Sequence, residues 1–139
     1  MIYDRWNVWN FNMSFDLKVK NGSIVLENGD LKKVTKTEKL IQDILKMCLT
    51  EAGSNPFHPW YGSQVSRSLI GSSLDYGIVI TMARAQLLNS LDLLKSIQSE
   101  QARQGFSMDP EEQISAVQDV QIQRNQSDPT FFEVKIIVL

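Results

Sequence analysis

The 139-residue chain holds 14 Lys and Arg against 16 Asp and Glu, a net charge of −2 with its one His neutral, and 42% of it is hydrophobic. That is one folded domain's worth of ordinary composition, and its near-neutral balance supplies no basic field of the kind phosphate binding draws on, so nucleic acid is not an expected partner. One cysteine excludes an internal disulfide, and neither a secretory layout in MIYDRWNVWNF nor a run of ~20 apolar residues is present, so a soluble protein made in the cytoplasm is expected.

Residues 1–14 mix Tyr3, Trp6, Trp9, Phe11 and Met13 with polar neighbours at no clear period, which predicts an aromatic arm that docks at an interface. Residues 15–139 then read as one domain. Phe15 to Lys20 alternates apolar and polar, and Ser23 to Glu27 is again strand-like. Asn21-Gly22 between them is a strong hairpin signal. A second turn at Asn28-Gly29-Asp30 leads through Leu31 to Val34 toward a helix. No internal repeat is expected.

Thr35 and Glu38 have the spacing of a capping box, in which hydroxyl and carboxylate each take a free backbone N–H. Leu40, Ile41, Ile44, Leu45, Cys48 and Leu49 follow as an apolar stripe, and Ala52-Gly53 ends the helix. Two prolines and several aromatics forbid regular structure from Ser54 to Tyr61. Gly62-Ser63 opens a short helix through Val65, Leu69 and Ile70. Gly71 breaks it, Ser72 or Ser73 caps the next helix, and Asp75 sits near that helix's positive end. One long helix is expected from residue 74 to about 104. Its core seam is Ile80, Ala83, Leu87, Leu91, Leu94 and Ile97, its last turns are polar on every side, and Gly105 stops it.

After Asp109-Pro110, the segment from Ile114 to Gln123 places Val120 and Ile122 on one face and Gln121 and Gln123 on the other, a half-buried strand. A turn over Asn125 to Pro129 leads to a final strand from Thr130 to Leu139. The order is strand, strand, three helices, strand, strand. This predicts an α+β domain whose two hairpins form a small antiparallel sheet packed on three helices, one of them long.

Few residues suit catalysis. Cys48 and His58 are each the only one of their kind, whereas metal sites need several ligands and nucleophiles need a base beside them. Cys48 lies on the apolar stripe and reads as packing, and His58 reads as a hydrogen-bonder in a loop. No cofactor, metal or small-molecule substrate is expected.

The run from Leu49 to Ser63, Leu-Thr-Glu-Ala-Gly-Ser-Asn-Pro-Phe-His-Pro-Trp-Tyr-Gly-Ser, resembles the signature of one family. There a helix ending in Leu-Thr leads to a Gly-Ser or Gly-Glu pair, then a Pro, an aromatic, and a Gly-Ser that starts the next helix. The family is the gene-25-like baseplate wedge proteins of contractile phage tails, the sheath initiators, whose relatives serve type VI secretion. A Gly-Asp turn before the first helix, a long third helix and a closing pair of strands agree with the resemblance over residues 15–139. The family often carries Glu-Pro-Arg and an aliphatic residue where the last helix gives way to strand. Here Glu111, Glu112, Gln113 and Ile114 are the best equivalent, without the Pro and the Arg.

The resemblance implies a structural protein of the virion, assembled in host cytoplasm, whose partners are baseplate wedge proteins and the tail sheath protein, with the tail tube as a further candidate. It implies a wedge contact through Glu51, Gly53, Pro56, Phe57, Pro59, Gly62 and Ser63. The closing strand, with Phe131, Phe132, Val134, Ile136 and Val138, would face the sheath, since an apolar edge strand can accept a partner's strand. Trp6, Trp9 and Phe11 form the arm. For each group a packing role is the alternative. Two further readings stand beside this one. A lysozyme-like glycosidase needs two carboxyls set across a bond, for which Glu51 and Asp75 are the candidates. A small adaptor protein outside any phage tail is the other.

Overall fold

The computed structural model describes residues 14–69, 74–128 and 130–139. Its first six strands are two residues each: β1 Asp16–Leu17, β2 Val19–Lys20, β3 Ser23–Ile24, β4 Leu26–Glu27, β5 Asp30–Leu31 and β6 Lys33–Val34. Asn21 and Gly22, at φ 51° and 76°, join β2 to β3, and Asn28 and Gly29, at 53° and 84°, join β4 to β5. Two successive positive φ values suit a two-residue hairpin turn. β6 then returns to β1, pairing Asp16 with Val34 and Leu17 with Lys33.

At the centre the three chain passes bond in a ring. The amide of Lys18 donates to the Lys32 carbonyl (2.8 Å), that of Val25 to Lys18 (2.9 Å), and that of Lys32 to Val25 (3.0 Å). These residues are seven apart, so residues 16–22, 23–29 and 30–36 are three units of one repeat. This corrects the expectation of no repeat. Lys36, at φ 53°, stands where Gly22 and Gly29 stand in the first two units.

Helix α1 spans Lys36–Leu49, α2 Val65–Leu69 and α3 Tyr76–Arg103, followed by a 3-10 turn over Pro110–Glu112 and strands β7 Val117–Arg124 and β8 Phe132–Val138. The fold is therefore α+β, with three helices, one long, and small antiparallel sheets. The strands do not join into one sheet: the N-terminal triangle and the β7–β8 hairpin are separate. The core lies between α1, α3 and one face of the hairpin. It holds Leu40, Ile44, Met47 and Cys48, then Ala83, Leu87, Leu91 and Leu94, then Ile114, Val120 and Ile122.

Half of the predicted α1 stripe is elsewhere. Ile41, Leu45 and Leu49 are exposed, Leu49 to 80%, while Met47 is fully buried. The α3 seam is as expected, with Ile80 and Ile97 at its margin and the turns from Ser99 exposed. Asp75 itself caps α3, accepting from the Gly77 amide at 3.0 Å. Ile70, Gly71, Ser72 and Ser73 lie outside the described residues, as do Trp6, Trp9 and Phe11.

The triangle is tied to α1 by polar side chains. Gln42 accepts from the Val19 amide (2.9 Å) and donates to the Leu17 carbonyl (2.7 Å) and to Asp16 Oδ2 (2.6 Å), while Lys46 bridges Asp16 and Asp43. Burial alone would raise the Asp16 pKa, but hydrogen bonds from Lys46, Gln42 and the Leu17 amide outweigh it and hold the carboxyl below its ordinary 3.8. Burial likewise works against charge on Lys46, and the two carboxylates reverse this and lift it above 10.5. A depressed carboxyl contributes stability that is complete above its unfolded-state value and is lost as pH falls through its folded-state value. The raised amine contributes below its unfolded-state value, and that is lost as pH rises through the folded one. Asp16→Asn is therefore expected to lower the melting temperature at pH 7, with the gap to wild type closing as pH falls below 3.8. Melting curves of both proteins between pH 7 and pH 2 check this, and a gap that stays constant contradicts it.

Candidate interface surfaces

The segment from Thr50 to Ser63 is a closed loop. Ser63 donates its amide to Thr50 O (2.8 Å), Ala52 donates to Ser63 O (2.9 Å), and Gly53 donates to Pro59 O (2.9 Å). Ser63 also sends its hydroxyl to the Cys48 carbonyl at 2.6 Å, satisfying an acceptor that the end of α1 leaves unpaired. Gly62, at φ 112°, donates to Met47 Sδ (3.3 Å), and its carbonyl receives the Ser90 hydroxyl (3.3 Å). Both Gly62 and Ser63 are buried. They pin α1 to α3 and offer no exposed surface to a partner.

The other residues of that set face outward. Pro56 and Pro59 are exposed, as is Phe57 at 86%, and Gly53 turns the chain at φ 87°. Asn55 Oδ1 holds the bend by accepting from the Phe57 amide at 3.0 Å. His58 packs edge-on against Trp60, and Trp60 against Tyr61, at 5.3 and 6.2 Å between ring centres. Glu51 is paired with Arg67 of α2, so the two candidate glycosidase carboxyls each have a partner, Arg67 for Glu51 and the Gly77 amide for Asp75.

The segment Glu111 to Ile114 divides in the same way. Glu111 is exposed, with Lys36 Nζ 3.9 Å away. Glu112 is 2% exposed, and its Oε1 accepts from the Lys36 amide at 3.0 Å. It thereby takes the place of the predicted capping box, for Thr35 makes no side-chain cap. Gln98, missed in the sequence, donates to the Glu112 carbonyl (2.9 Å) and accepts from the Ile114 amide (2.9 Å). Ile114 is core. Glu112 and Ile114 are thus internal, which leaves Glu111 and the half-buried Gln113 able to meet a partner.

The β7–β8 hairpin runs to the last residue. Leu139 donates to the Ala116 carbonyl (2.9 Å) and accepts from Ser115 and Ala116. At the other end Phe131, exposed in the turn rather than in the strand, accepts from the Asn125 amide (2.9 Å). Both residues direct their main-chain groups toward β7. Because such groups alternate along a strand, Phe132, Val134, Ile136 and Val138 direct theirs away from it. Their side chains go to the core side, where Phe132, Ile136 and Val138 pack, and Val134 remains 43% exposed. The side chains of the predicted sheath-facing strand are thus mostly core, and its main-chain edge is what is open. Among the described residues only β7 pairs with β8. The outer edge of β7 is blunted: the Val120 amide goes to Asp119 Oδ1 (2.8 Å) and the Arg124 amide to the Tyr76 hydroxyl (3.0 Å).

Among the described residues no helix is long and apolar enough to cross a membrane, and no cluster of His, Cys, Asp and Glu could hold a metal ion. No protein-family model matches this chain, and no curated protein does.

Proposed function

We propose that the chain is a structural subunit of a contractile-tail baseplate, attached to the wedge, that starts the sheath by lending the open edge of β8 to the first ring of sheath subunits. The observation that carries this reading is the asymmetry of the hairpin: two of β7's outward amides, those of Val120 and Arg124, are taken by Asp119 and Tyr76, while among the described residues β8 pairs with β7 alone. An edge of that kind recruits a strand through main-chain bonds, with side chains such as Val134 supplying selectivity. The exposed tip Pro56-Phe57, continuous with a rigid closed loop, suits the wedge contact. The reading involves no catalysis and no cofactor, and places the protein in the virion after assembly in host cytoplasm.

Co-expression with the cognate sheath and wedge proteins tests it. Deleting β8 would also strip Phe132, Ile136 and Val138 from the core, so the informative variant is Val134→Pro. It removes an outward amide and leaves the β7 ladder intact. Val134→Lys, which keeps the amide and charges the edge, is the second variant. Wild type is expected to capture sheath and wedge, and both variants to keep the wedge and lose the sheath. Folded variants that still capture sheath, or a wild type that captures neither partner, overturn the proposal.

A further inference from the structure

Beside the aromatic loop, between α1, the last half of α3 and residues 106–108, opens a cleft of about 660 Å³. Trp60, Tyr61, Leu94, Ile97 and Phe106 give it an apolar side, and the first described residues, Ser14 and Phe15, stand on its rim. Its charged wall is internally satisfied: Lys46 bridges Asp16 and Asp43, and Lys39 lies 2.7 Å from Asp43. Cations already paired with carboxylates offer little net field to a charged ligand, so the cleft favours an uncharged, aromatic occupant.

We propose that this cleft is the docking site of the chain's own residues 1–13. The first argument is where the described chain begins. Ser14 lines the cleft, and Met13 is bonded to it directly, so no linker separates the segment from the cleft. The second is chemistry. Residues 6–13, Trp-Asn-Val-Trp-Asn-Phe-Asn-Met, carry no charge, with apolar side chains at 6, 8, 9, 11 and 13 and amides at 7, 10 and 12. Eight extended residues reach roughly 27 Å, enough to run along such a cleft. The tryptophans would cover Trp60 and Phe106, both exposed. The asparagines would meet polar lining such as Gln101 and Ser107. Tethering makes docking within the same chain far more probable than capture from solution.

The test pairs Asn10→Cys with Ser107→Cys in the full chain. Cys48 does not compete, since it is buried and its thiol pushed up to about 11 by that burial. Under mild oxidation a disulfide within one chain is expected, read at the monomer mass on a non-reducing gel. Adding Trp6→Ala and Trp9→Ala should slow its formation about tenfold, because large buried aromatics carry most of the energy of such contacts. The same pair should raise amide exchange at His58, Trp60 and Tyr61 in the chain without added cysteines. A disulfide between two chains overturns the proposal in favour of a second copy as occupant. A rate indifferent to both tryptophans, with exchange at His58, Trp60 and Tyr61 unchanged, overturns it in favour of an unoccupied cleft or one filled by a partner.

Discussion

Gly62→Ala is expected to destabilise the protein by about 4 kcal/mol, combining roughly 1–3 kcal/mol of backbone strain with roughly 1–3 kcal/mol of overpacking. A Cβ at residue 62 would lie 2.5 Å from the Thr50 carbonyl oxygen and 3.0 Å from the Ala52 nitrogen, both backbone atoms, and φ there is 112°. Neither atom belongs to a side chain that can swing away. Relief requires the crossing of residues 50 and 62 to open, and that crossing holds the Ser63–Cys48 and Gly62–Ser90 bonds. Gly53→Ala is the control, because Gly53 has φ 87° with nothing within 4 Å of its Cβ position, so it carries only the strain. Urea unfolding of the two variants separates the terms. Equal losses would show that the loop widens freely and that Gly62 is not the pin described.

Much of this architecture was legible because it is local. Asn21-Gly22 and Asn28-Gly29 specify their turns by the positive φ that they tolerate, and the alternation of Val120 to Gln123 fixes the buried face of β7. What the hairpin signal conceals is closure. The triangle depends on β6 returning to β1, and the third unit of the repeat ends in Thr35-Lys36 rather than Asn-Gly. The spacing of 18, 25 and 32 was the available sign. On α1 the sequence offers two adjacent stripes. Leu40, Ile44, Met47 and Cys48 face the core, while Ile41, Leu45 and Leu49 lie beside them, and periodicity alone does not choose between the two. The choice is made by α3 and the hairpin.

The candidate contact residues were less legible for a related reason. A loop residue that shapes the chain and one that touches a partner carry the same sequence signal, so the sequence groups Gly62 and Ser63 with Phe57 although the structure buries the first two and exposes the third. Glu112 is the sharper case. The family resemblance groups Glu112 with Glu111, Gln113 and Ile114 at the wedge core, yet its carboxylate reaches the start of α1, 112 − 36 = 76 residues earlier, where a negative group is favoured by the unpaired amides and the helix dipole. Local spacing at Thr35 and Glu38 suggested a cap that the chain supplies from a distance.

That long-range cap depends on Gln98, and Gln98→Leu is expected to be the second severe change. Its amide makes a two-bond clamp on the main chain at Glu112 and Ile114, all within the buried interior. Leucine fills similar space and leaves one buried carbonyl and one buried amide unpaired, at roughly 1–3 kcal/mol each, so a loss of about 4 kcal/mol follows. The effect should also travel. The clamp fixes the backbone that aims Glu112 at Lys36, so releasing it loosens the first turn of α1. The amide of Lys36 should then exchange faster in Gln98→Leu by more than the global destabilisation accounts for, while amides in the middle of α3 follow the global value. Native-state hydrogen exchange at low denaturant distinguishes the two. If Lys36 merely tracks global unfolding, then Glu112 holds its place by packing alone, and the connection from α3 through Gln98 to the start of α1 is not an energetic one.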